Sequence, residues 1–220
     1  SGNLNLSDFT VGLDNGTDYS GDVTIGSGTT IKSQHSGNIF QRTGNKPGGK
    51  VTINGTMIFS GQNPRFQMDS YDFSNGTIIF DKSGSQSLID KGNGTSPGNA
   101  PSIYGNILLL GNGTKTTITN TTINGKLSIQ GSTSFALGTS FTLTYGDTAS
   151  IEYAGTQAQT TTNNEFPASN GPKNCIINNL SGVTLNSAKI LNGNLNLESG
   201  NLITADTSAL TLGTSATITG

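Results

Sequence analysis

The sequence is poor in the residues from which many proteins build reactive sites. It contains one cysteine, Cys175, and no tryptophan, and only 11% of its 220 residues are charged. A single cysteine excludes an intrachain disulfide and a metal site built from several thiolates. A formal net charge of -2, with no cluster of basic residues, predicts no binding to nucleic acid. No run of 18 apolar residues occurs, so no membrane insertion is expected.

Small polar residues dominate what is present. Gly, Asn, Ser and Thr make up about half of the chain, and hydrophobic residues account for only 31%. Disordered chains of low hydrophobicity are usually highly charged, which this one is not. Thr favours strands, whereas Gly, Asn and Ser favour turns, so the composition predicts an ordered β-protein with short strands. The thin apolar supply suits a solenoid, whose narrow core is shared between neighbouring coils.

One phrase recurs three times, as "TINGTMIF" from Thr52, "TINGKLSI" from Thr122 and "ILNGNLNL" from Ile190. The intervals between successive copies are 70 and 68 residues. The flanking sequence agrees in part: "GTIIFDKSGSQ" matches "ASIEYAGTQ", and "APSIYGNI" matches "GPKNCIINNL". Such regular self-similarity is the signature of a repeat architecture. The signature residues are Asn54, Gly55, Asn124, Gly125, Asn192 and Gly193.

Within each copy the apolar residues alternate with polar ones. Ile123, Leu127 and Ile129 share one parity, which predicts a half-buried strand and not a helix. The Asn-Gly pair is typical of a hairpin, but an unbroken parity pattern is equally consistent with a bend between two short strands. We expect Ile53, Met57 and Phe59 to point inward. We also expect the Asn-Gly pairs to mark one recurring corner, where both residue types tolerate positive φ.

The repeat interval favours one all-β solenoid over separate sandwich domains. About 70 residues divide into three coils of roughly 23 residues, whereas an immunoglobulin-like domain needs about 100 residues and usually a buried Trp. We therefore interpret the chain as a single solenoid fragment holding under three repeat units. Its predicted parts are N-terminal, cap-like coils at 1–50, a first unit at 51–120, a second at 121–189 and a partial third at 190–220.

The phrase [TI]-[IL]-N-G-x-[LM]-x-[ILF], followed by "ESGNLITADTSALTLGTSATITG", resembles repeats of very large secreted surface proteins of Bacteroidota and related bacteria. Many such proteins are substrates of the type IX secretion system, and the similarity is greatest from Tyr145 to Leu202. The resemblance implies a right-handed parallel β-helix at the cell surface that acts as a stalk, adhesin or binding scaffold. Its implied partners are surface glycans, other cell-surface proteins and neighbouring repeats of one larger chain.

Catalytic β-helices such as the pectate-lyase-like enzymes use carboxylates that hold calcium and an Arg or Lys base. The densest polar cluster contains Arg65, Asp69 and Asp72. Asp69 and Asp72 point to opposite faces of one straight strand, so they converge only if a corner intervenes. We predict no enzyme activity and no cofactor, with this cluster as a low-ranked ligand contact.

Two further patterns have ordinary structural explanations. Asp14, Asp18 and Asp22 lie four apart in a Gly-rich segment, but their spacing matches no established calcium motif, and no metal site is predicted. His35 and Cys175 are about six coils apart in a solenoid, too far to form a nucleophile and base pair. Cys175 is expected in the core and His35 in solvent.

Carbohydrate and ice remain alternative ligands. Tyr145 and Tyr153 fall in one repeat unit and would stack on a sugar ring if they pointed outward, although Tyr153 aligns with the apolar Phe80. The stretch "TKTTITNTTIN", from Thr114 to Asn124, carries alternating threonines of the kind that an ice-binding face needs. An ice-binding face requires a threonine rank across at least four coils.

Overall fold

The structure is a computed structural model that describes residues 2–7, 11–13, 21–42, 49–91 and 100–220. Its described residues contain no helix. The strands, numbered in chain order, are β1 Gly2–Ser7, β2 Val11–Leu13, β3 Val23–Ile25, β4 Thr29–Ser33, β5 Asn38–Arg42, β6 Lys50–Ile53, β7 Thr56–Phe59, β8 Arg65–Gln67, β9 Ser70–Phe80, β10 Gln86–Ser87, β11 Asp90–Lys91, β12 Ile103–Leu109, β13 Asn112–Thr116, β14 Thr121–Ile123, β15 Lys126–Ala136, β16 Leu143–Tyr145, β17 Ser150–Gly155, β18 Gln159–Thr160, β19 Asn174–Asn178, β20 Val183–Thr184, β21 Lys189–Leu191, β22 Asn194–Ser199, β23 Leu202–Ile203, β24 Leu210–Leu212 and β25 Thr217–Thr219.

These strands stack as a parallel β-solenoid. Ten of them form one continuous parallel ladder, in the order β1, β4, β7, β9, β12, β15, β17, β19, β22 and β25. Each step along the ladder carries the chain once around the coil, because the neighbours are parallel and not consecutive in sequence. The predicted all-β solenoid is therefore confirmed. Its handedness, its repeat length and the proposed unit boundaries stay predictions.

The register shows how the repeated phrase relates to the coils. Met57 pairs with Ile78, Ile78 with Ile107, and Ile107 with Leu127. Three steps of the ladder thus separate the first copy of the phrase from the second. The phrase therefore does not occur in every coil, and the coils that lie between two copies differ from them in length and sequence.

The alternating parity places a continuous apolar column inside the coils. Ile53, Met57 and Phe59 are fully buried, as the parity predicts, and so are Ile123 and Leu127. One cluster of buried apolar residues runs from Ile25 to Leu195. Parallel stacking lets each coil cover the apolar residues of the next, which explains how 31% hydrophobic residues suffice.

The three Asn-Gly pairs are bends between consecutive strands, and none is a hairpin. Each pair separates two strands that join parallel ladders: β6 from β7, β14 from β15, and β21 from β22. The expected positive φ is wrong. Among the described residues, positive φ outside glycine occurs only at Ser140 and Asn170, and the signature glycines are not among the positive-φ glycines.

Close approach between coils explains the signature glycines instead. A Cβ at Gly55 would lie 2.3 Å from the carbonyl oxygen of Gly26, and a Cβ at Gly193 would lie 2.4 Å from that of Lys173. At Gly125 the obstructing atom is the side-chain oxygen of Asn106, 2.5 Å away. The same Asn106 oxygen accepts a hydrogen bond of 3.0 Å from the Lys126 amide. Glycine is needed at these bends because the coil beneath occupies the space of a side chain.

One buried lysine departs from the polar-outward pattern. Lys115, on β13, is fully buried, and its ammonium donates to the carbonyl oxygens of Lys82, Gly84 (3.1 Å) and Asn112 (3.3 Å). Burial lowers the pKa of Lys115 to about 8. The side chain thus links the segment that follows β9, at Lys82 and Gly84, to the start of β13 and satisfies these buried carbonyl groups.

Candidate functional site

Among the described residues the stacking is interrupted between β16 and β21 and, where a cavity lies between the strands, between β15 and β18. The first half of β15 pairs with β17 as far as Gly131, which lies opposite Gly155. The second half, from Ser132, pairs with β13 below it. On its other side no strand of the described chain pairs with it, since β18 in the next coil pairs only with β20. The two unpaired strand edges face each other across a cavity of about 230 Å³.

The cavity combines apolar side chains with a carboxyl group. Its lining includes Ile129, Thr133, Phe135, Tyr153, Gln159 and Glu165. Phe135 and Tyr153 are buried and supply the apolar inner wall. Glu165 is 2% exposed and comes from the corner that follows β18.

Glu165 is held by a tight turn within its own segment. Its carboxylate accepts hydrogen bonds from the Thr162 amide at 2.5 Å and from the Thr162 hydroxyl. The Phe166 amide donates to the Thr162 carbonyl at 3.2 Å, which closes a single helical turn. A Thr followed three residues later by Glu is the capping-box pattern. Sequence reasoning missed Glu165, although "TNNE" carries this signal.

Two tyrosines complete the polar network behind the cavity. The Tyr153 hydroxyl donates to the Glu165 carboxylate at 3.1 Å, and the Tyr145 hydroxyl donates to the Glu165 backbone carbonyl at 2.6 Å. Burial raises the pKa of the Glu165 carboxyl above its ordinary value. Burial, together with nearby Glu165, also raises the pKa values of both tyrosines. This arrangement stabilises a polar corner inside an apolar coil.

A buried lysine lies on the far side of the same corner. The Lys189 ammonium donates to the Asn163 side chain at 2.6 Å and lies 5.7 Å from the centre of the Phe166 ring. Burial lowers the pKa of Lys189. Nothing in the sequence around Lys189 distinguishes it from an exposed lysine, so its role becomes visible only in three dimensions.

The glutamine that borders the cavity bridges two coils. The Gln159 amide nitrogen donates to the Ile129 carbonyl at 3.2 Å, and its oxygen accepts from the Gly155 amide at 2.9 Å. Gln86 makes the matching contacts in an earlier coil, donating to the Phe59 carbonyl at 2.8 Å. The sequence comparison had aligned Gln86 with Gln157, whereas the contacts make Gln159 its counterpart.

The structure places Tyr145 and Tyr153 inside the coils, where they present no platform to a sugar. Tyr153 is buried, and the Tyr145 hydroxyl is used within the chain. The other two described tyrosines behave alike: Tyr71 donates to the Phe66 carbonyl at 2.9 Å and Tyr104 to the Pro101 carbonyl at 3.2 Å. Tyr19 lies outside the described residues. The alignment of Tyr153 with Phe80 correctly indicated the core.

Arg65, Asp69 and Asp72 are not drawn into one site. Arg65, on β8, lies 3.8 Å from Asp90 in the next coil. Asp72, on β9 in a different sheet, lies 3.2 Å from the Lys50 ammonium. A hydrogen bond from the Ser74 hydroxyl, followed by the Lys50 contact, lowers the pKa of Asp72. A bend at Asp69 does lie just before β9, which carries Asp72, but Arg65 and Asp72 have different ionic partners.

The remaining candidates have ordinary surroundings. Cys175 is buried, as predicted, and burial raises its pKa to about 12. Along the ladder Cys175 lies six steps from Ile31, which is on β4 just before His35. Cys175 and His35 therefore do not meet. His35 is half-buried and not fully solvated. Asp14 and Asp18 lie outside the described residues, and Asp22 accepts a hydrogen bond from the Lys50 amide at 2.7 Å.

Threonine ranks in the described ladders are short. Thr30, Thr56 and Thr77 lie in register on three successive coils, and Asn106 takes the next position. In the stretch from Thr114 to Asn124, Thr114 lies beside Ser134, and Lys115 and Thr117 are buried. These ranks fall short of the four coils that we required of an ice-binding face.

Comparisons with known proteins add no relative. No protein-family model matches the chain, and no match was found among the curated proteins or the solved structures. The part of the chain that the structure describes has no helix of the length and hydropathy needed to cross a membrane. Within the same residues, no three His, Cys, Asp or Glu side chains are grouped as metal ligands.

Proposed function

We propose that this chain is a non-catalytic structural and adhesive module of a large bacterial cell-surface protein. The observation behind the proposal is the continuous parallel ladder of ten strands around one apolar column. Such a ladder forms a stiff element from few hydrophobic residues, because every coil supports its neighbours. The surface location derives from the resemblance of the "NG" repeats to secreted surface proteins.

The distribution of charge supports a structural role. Within the described residues, four ion pairs join different coils: Lys32 with Asp81, Lys50 with Asp72, Arg65 with Asp90, and Lys126 with Glu152. The carboxylates in these pairs lie beside cations of other coils and are spread over the rod. Acid and base catalysis needs such groups gathered around one substrate position.

Antibody labelling of the source cells tests the surface location. An antibody raised against the folded chain should label intact cells as strongly as permeabilised ones. Labelling that requires permeabilisation would contradict a surface module. An antibody against an abundant cytoplasmic protein provides the control for intact envelopes.

A glycan array combined with a lyase assay tests the competing carbohydrate functions. We expect no unsaturated product from acidic polysaccharides, with or without added calcium. Product formation that stops when Arg65 is replaced by Ala would establish the lyase-like alternative and overturn the non-catalytic proposal. Saturable glycan binding without product would instead identify the adhesive ligand as a sugar.

A further inference from the structure

We propose that the interrupted ladder is a docking slot for a short extended peptide segment, which adds a strand between the second half of β15 and β18. Peptides that bind in this way use main-chain hydrogen bonds for affinity and side-chain pockets for specificity. A rod that serves only as a support has no need of such an opening. The slot therefore goes beyond the proposed function and stands independently of it.

The backbone of β15 forms the lower wall of the slot. In a parallel ladder, successive residues direct their N–H and C=O groups to opposite neighbours. The Ser132 amide donates downward to the Gly111 carbonyl at 3.2 Å, and the Ala136 carbonyl accepts from the Thr117 amide at 3.0 Å. The backbone groups of Thr133 and Phe135 consequently point upward, and no other described residue pairs with them.

The segment around β18 forms the upper wall. The Gln159 amide donates upward to the Gly182 carbonyl at 3.1 Å, and the Thr161 amide donates upward to the Thr184 carbonyl at 2.9 Å. The carbonyl of Ala158 and both backbone groups of Thr160 therefore point down into the slot. The Thr156 amide still reaches the Gly131 carbonyl at 3.2 Å, so the opening begins just beyond that contact.

The side chains around the slot favour a peptide over a sugar. A sugar is recognised chiefly by polar side chains that are free to bond its hydroxyl groups. Here the Glu165 carboxylate accepts hydrogen bonds from Thr162 and Tyr153. The side-chain amide of Gln159 is hydrogen-bonded to the backbone of Ile129 and Gly155. The backbone groups of β15 and β18 that face the slot have no partner among the described residues, and backbone is what an added strand recognises.

The cavity also indicates what the peptide must carry. Alternate side chains of an added strand point inward, toward Phe135 and Tyr153. A volume of about 230 Å³ accommodates one inward side chain and its backbone. Because the Glu165 carboxylate and the Gln159 side-chain amide are already hydrogen-bonded, an uncharged apolar side chain fits best against Phe135 and Tyr153, and a charged one there would be buried without a partner.

Hydrogen exchange of the free chain tests whether the slot exists. The amides of Thr133 and Phe135 should exchange quickly, although both residues are almost fully buried. The amide of Ser132, which is bonded to the coil below, should be protected. Protection of Thr133 and Phe135 comparable to that of Ser132 would show that the ladder closes in solution and would overturn the proposal.

Selection from a random heptapeptide library, with the full chain as bait, tests what the slot binds. We expect enriched peptides with an apolar residue flanked by strand-forming residues. A synthetic copy of an enriched peptide should lose at least tenfold in affinity when alternate backbone nitrogens are methylated. Lack of enrichment, equal binding of the methylated copy, or displacement by neutral sugars would each contradict peptide docking.

Two substitutions at Thr160 provide the matched control in the protein. Thr160→Pro removes an N–H that faces the slot, whereas Thr160→Ala keeps it, and Thr160 is exposed. We expect Thr160→Pro to weaken peptide binding at least tenfold and Thr160→Ala to leave it within about twofold. Equal effects of the two substitutions, with both variants folded, would contradict the assigned geometry.

Discussion

The coils between Asn38 and Tyr104 and those between Thr121 and Ser199 fill the same narrow interior in different ways. In the first region, aromatic rings pack on one another from coil to coil, with Phe66 in contact with Phe40, Phe59 and Phe73. In the second region the core is mainly aliphatic, and the corner beyond β18 encloses the polar network of Glu165.

This difference shows that a solenoid tolerates two kinds of interior. Aromatic packing needs only volume and shape, so its stability should depend little on pH. A buried polar network needs every donor and acceptor to be satisfied, and a single lost partner exposes the others to an unfavourable environment. The interrupted ladder lies beside the polar corner, where the chain departs most from regular stacking.

Loss of the central ring in the aromatic region should have the largest effect. Phe66→Ala removes a fully buried ring that contacts four other rings, so the free energy of unfolding should fall by about 3–5 kcal/mol. Urea unfolding measures the change, with Phe66→Leu as a milder control. A loss below about 1 kcal/mol for the Ala variant would show that the rings do not hold these coils together.

Loss of the buried carboxylate should have a smaller but clear effect. Glu165→Ala leaves the Tyr153 hydroxyl and the Thr162 amide without their acceptor, at a cost of about 2 kcal/mol. Hydrogen exchange should show the opening confined to nearby coils, since a solenoid couples mainly through neighbours. Tyr153→Phe removes one donor, but the carboxylate keeps its hydrogen bonds from Thr162, so the loss in free energy of unfolding should be smaller. Equal losses in the two variants would contradict a central role for Glu165.

The pH dependence of stability should distinguish the two regions further. The pKa of Glu165 is raised in the folded chain, so the native state binds its proton more tightly than the unfolded state does. The contribution of Glu165 is therefore complete below its unfolded pKa and is lost as pH rises through the folded value. Relative to Glu165→Gln, the wild-type chain should lose stability as pH rises above about 4.5 and through the raised folded pKa of Glu165. A difference that stays flat or grows with pH would refute this assignment.

The smallest effect is expected at the exposed ion pairs. Lys50→Ala removes the partner of Asp72, and both side chains are at least 40% exposed. Solvent screens such pairs, so the loss should stay below about 1 kcal/mol and should shrink at high salt. Urea unfolding at low and high salt measures it. A larger, salt-insensitive loss would indicate that the outward charges support the coils more than the interior does.

The sequence predicts the fold better than it predicts the unusual interior sites. The parity of "INGKLSI" is a local signal, and it correctly assigned Ile123 and Leu127 to the core. The Asn-Gly pairs were located correctly but were given the wrong physical reason. The crowding at Gly125 comes from Asn106 in another coil, and no local pattern reveals a contact across coils.

Buried ionisable residues mark the limit of reasoning from the sequence alone. Lys115 lies within the threonine-rich stretch from Thr114, yet it is buried against the carbonyl groups of Lys82 and Gly84, two residues from a distant segment, and of nearby Asn112. Glu165 carried a capping-box signal, but its burial depends on the tyrosines of earlier strands. The sites that matter most for the slot arise from stacking and therefore need the register of the coils.

Disulfide trapping tests that register most directly. Stacked residues of adjacent coils lie about 4.8 Å apart, which is within reach of a disulfide, whereas residues two coils apart are too distant to form one. Thr30, Thr56 and Thr77 lie on successive coils in register and are partly exposed. Cysteines at 30 and 56, or at 56 and 77, should cross-link readily under mild oxidation, whereas cysteines at 30 and 77 should not. Equal cross-linking of all three pairs, or of the 30 and 77 pair alone, would contradict the parallel stacking on which the account depends.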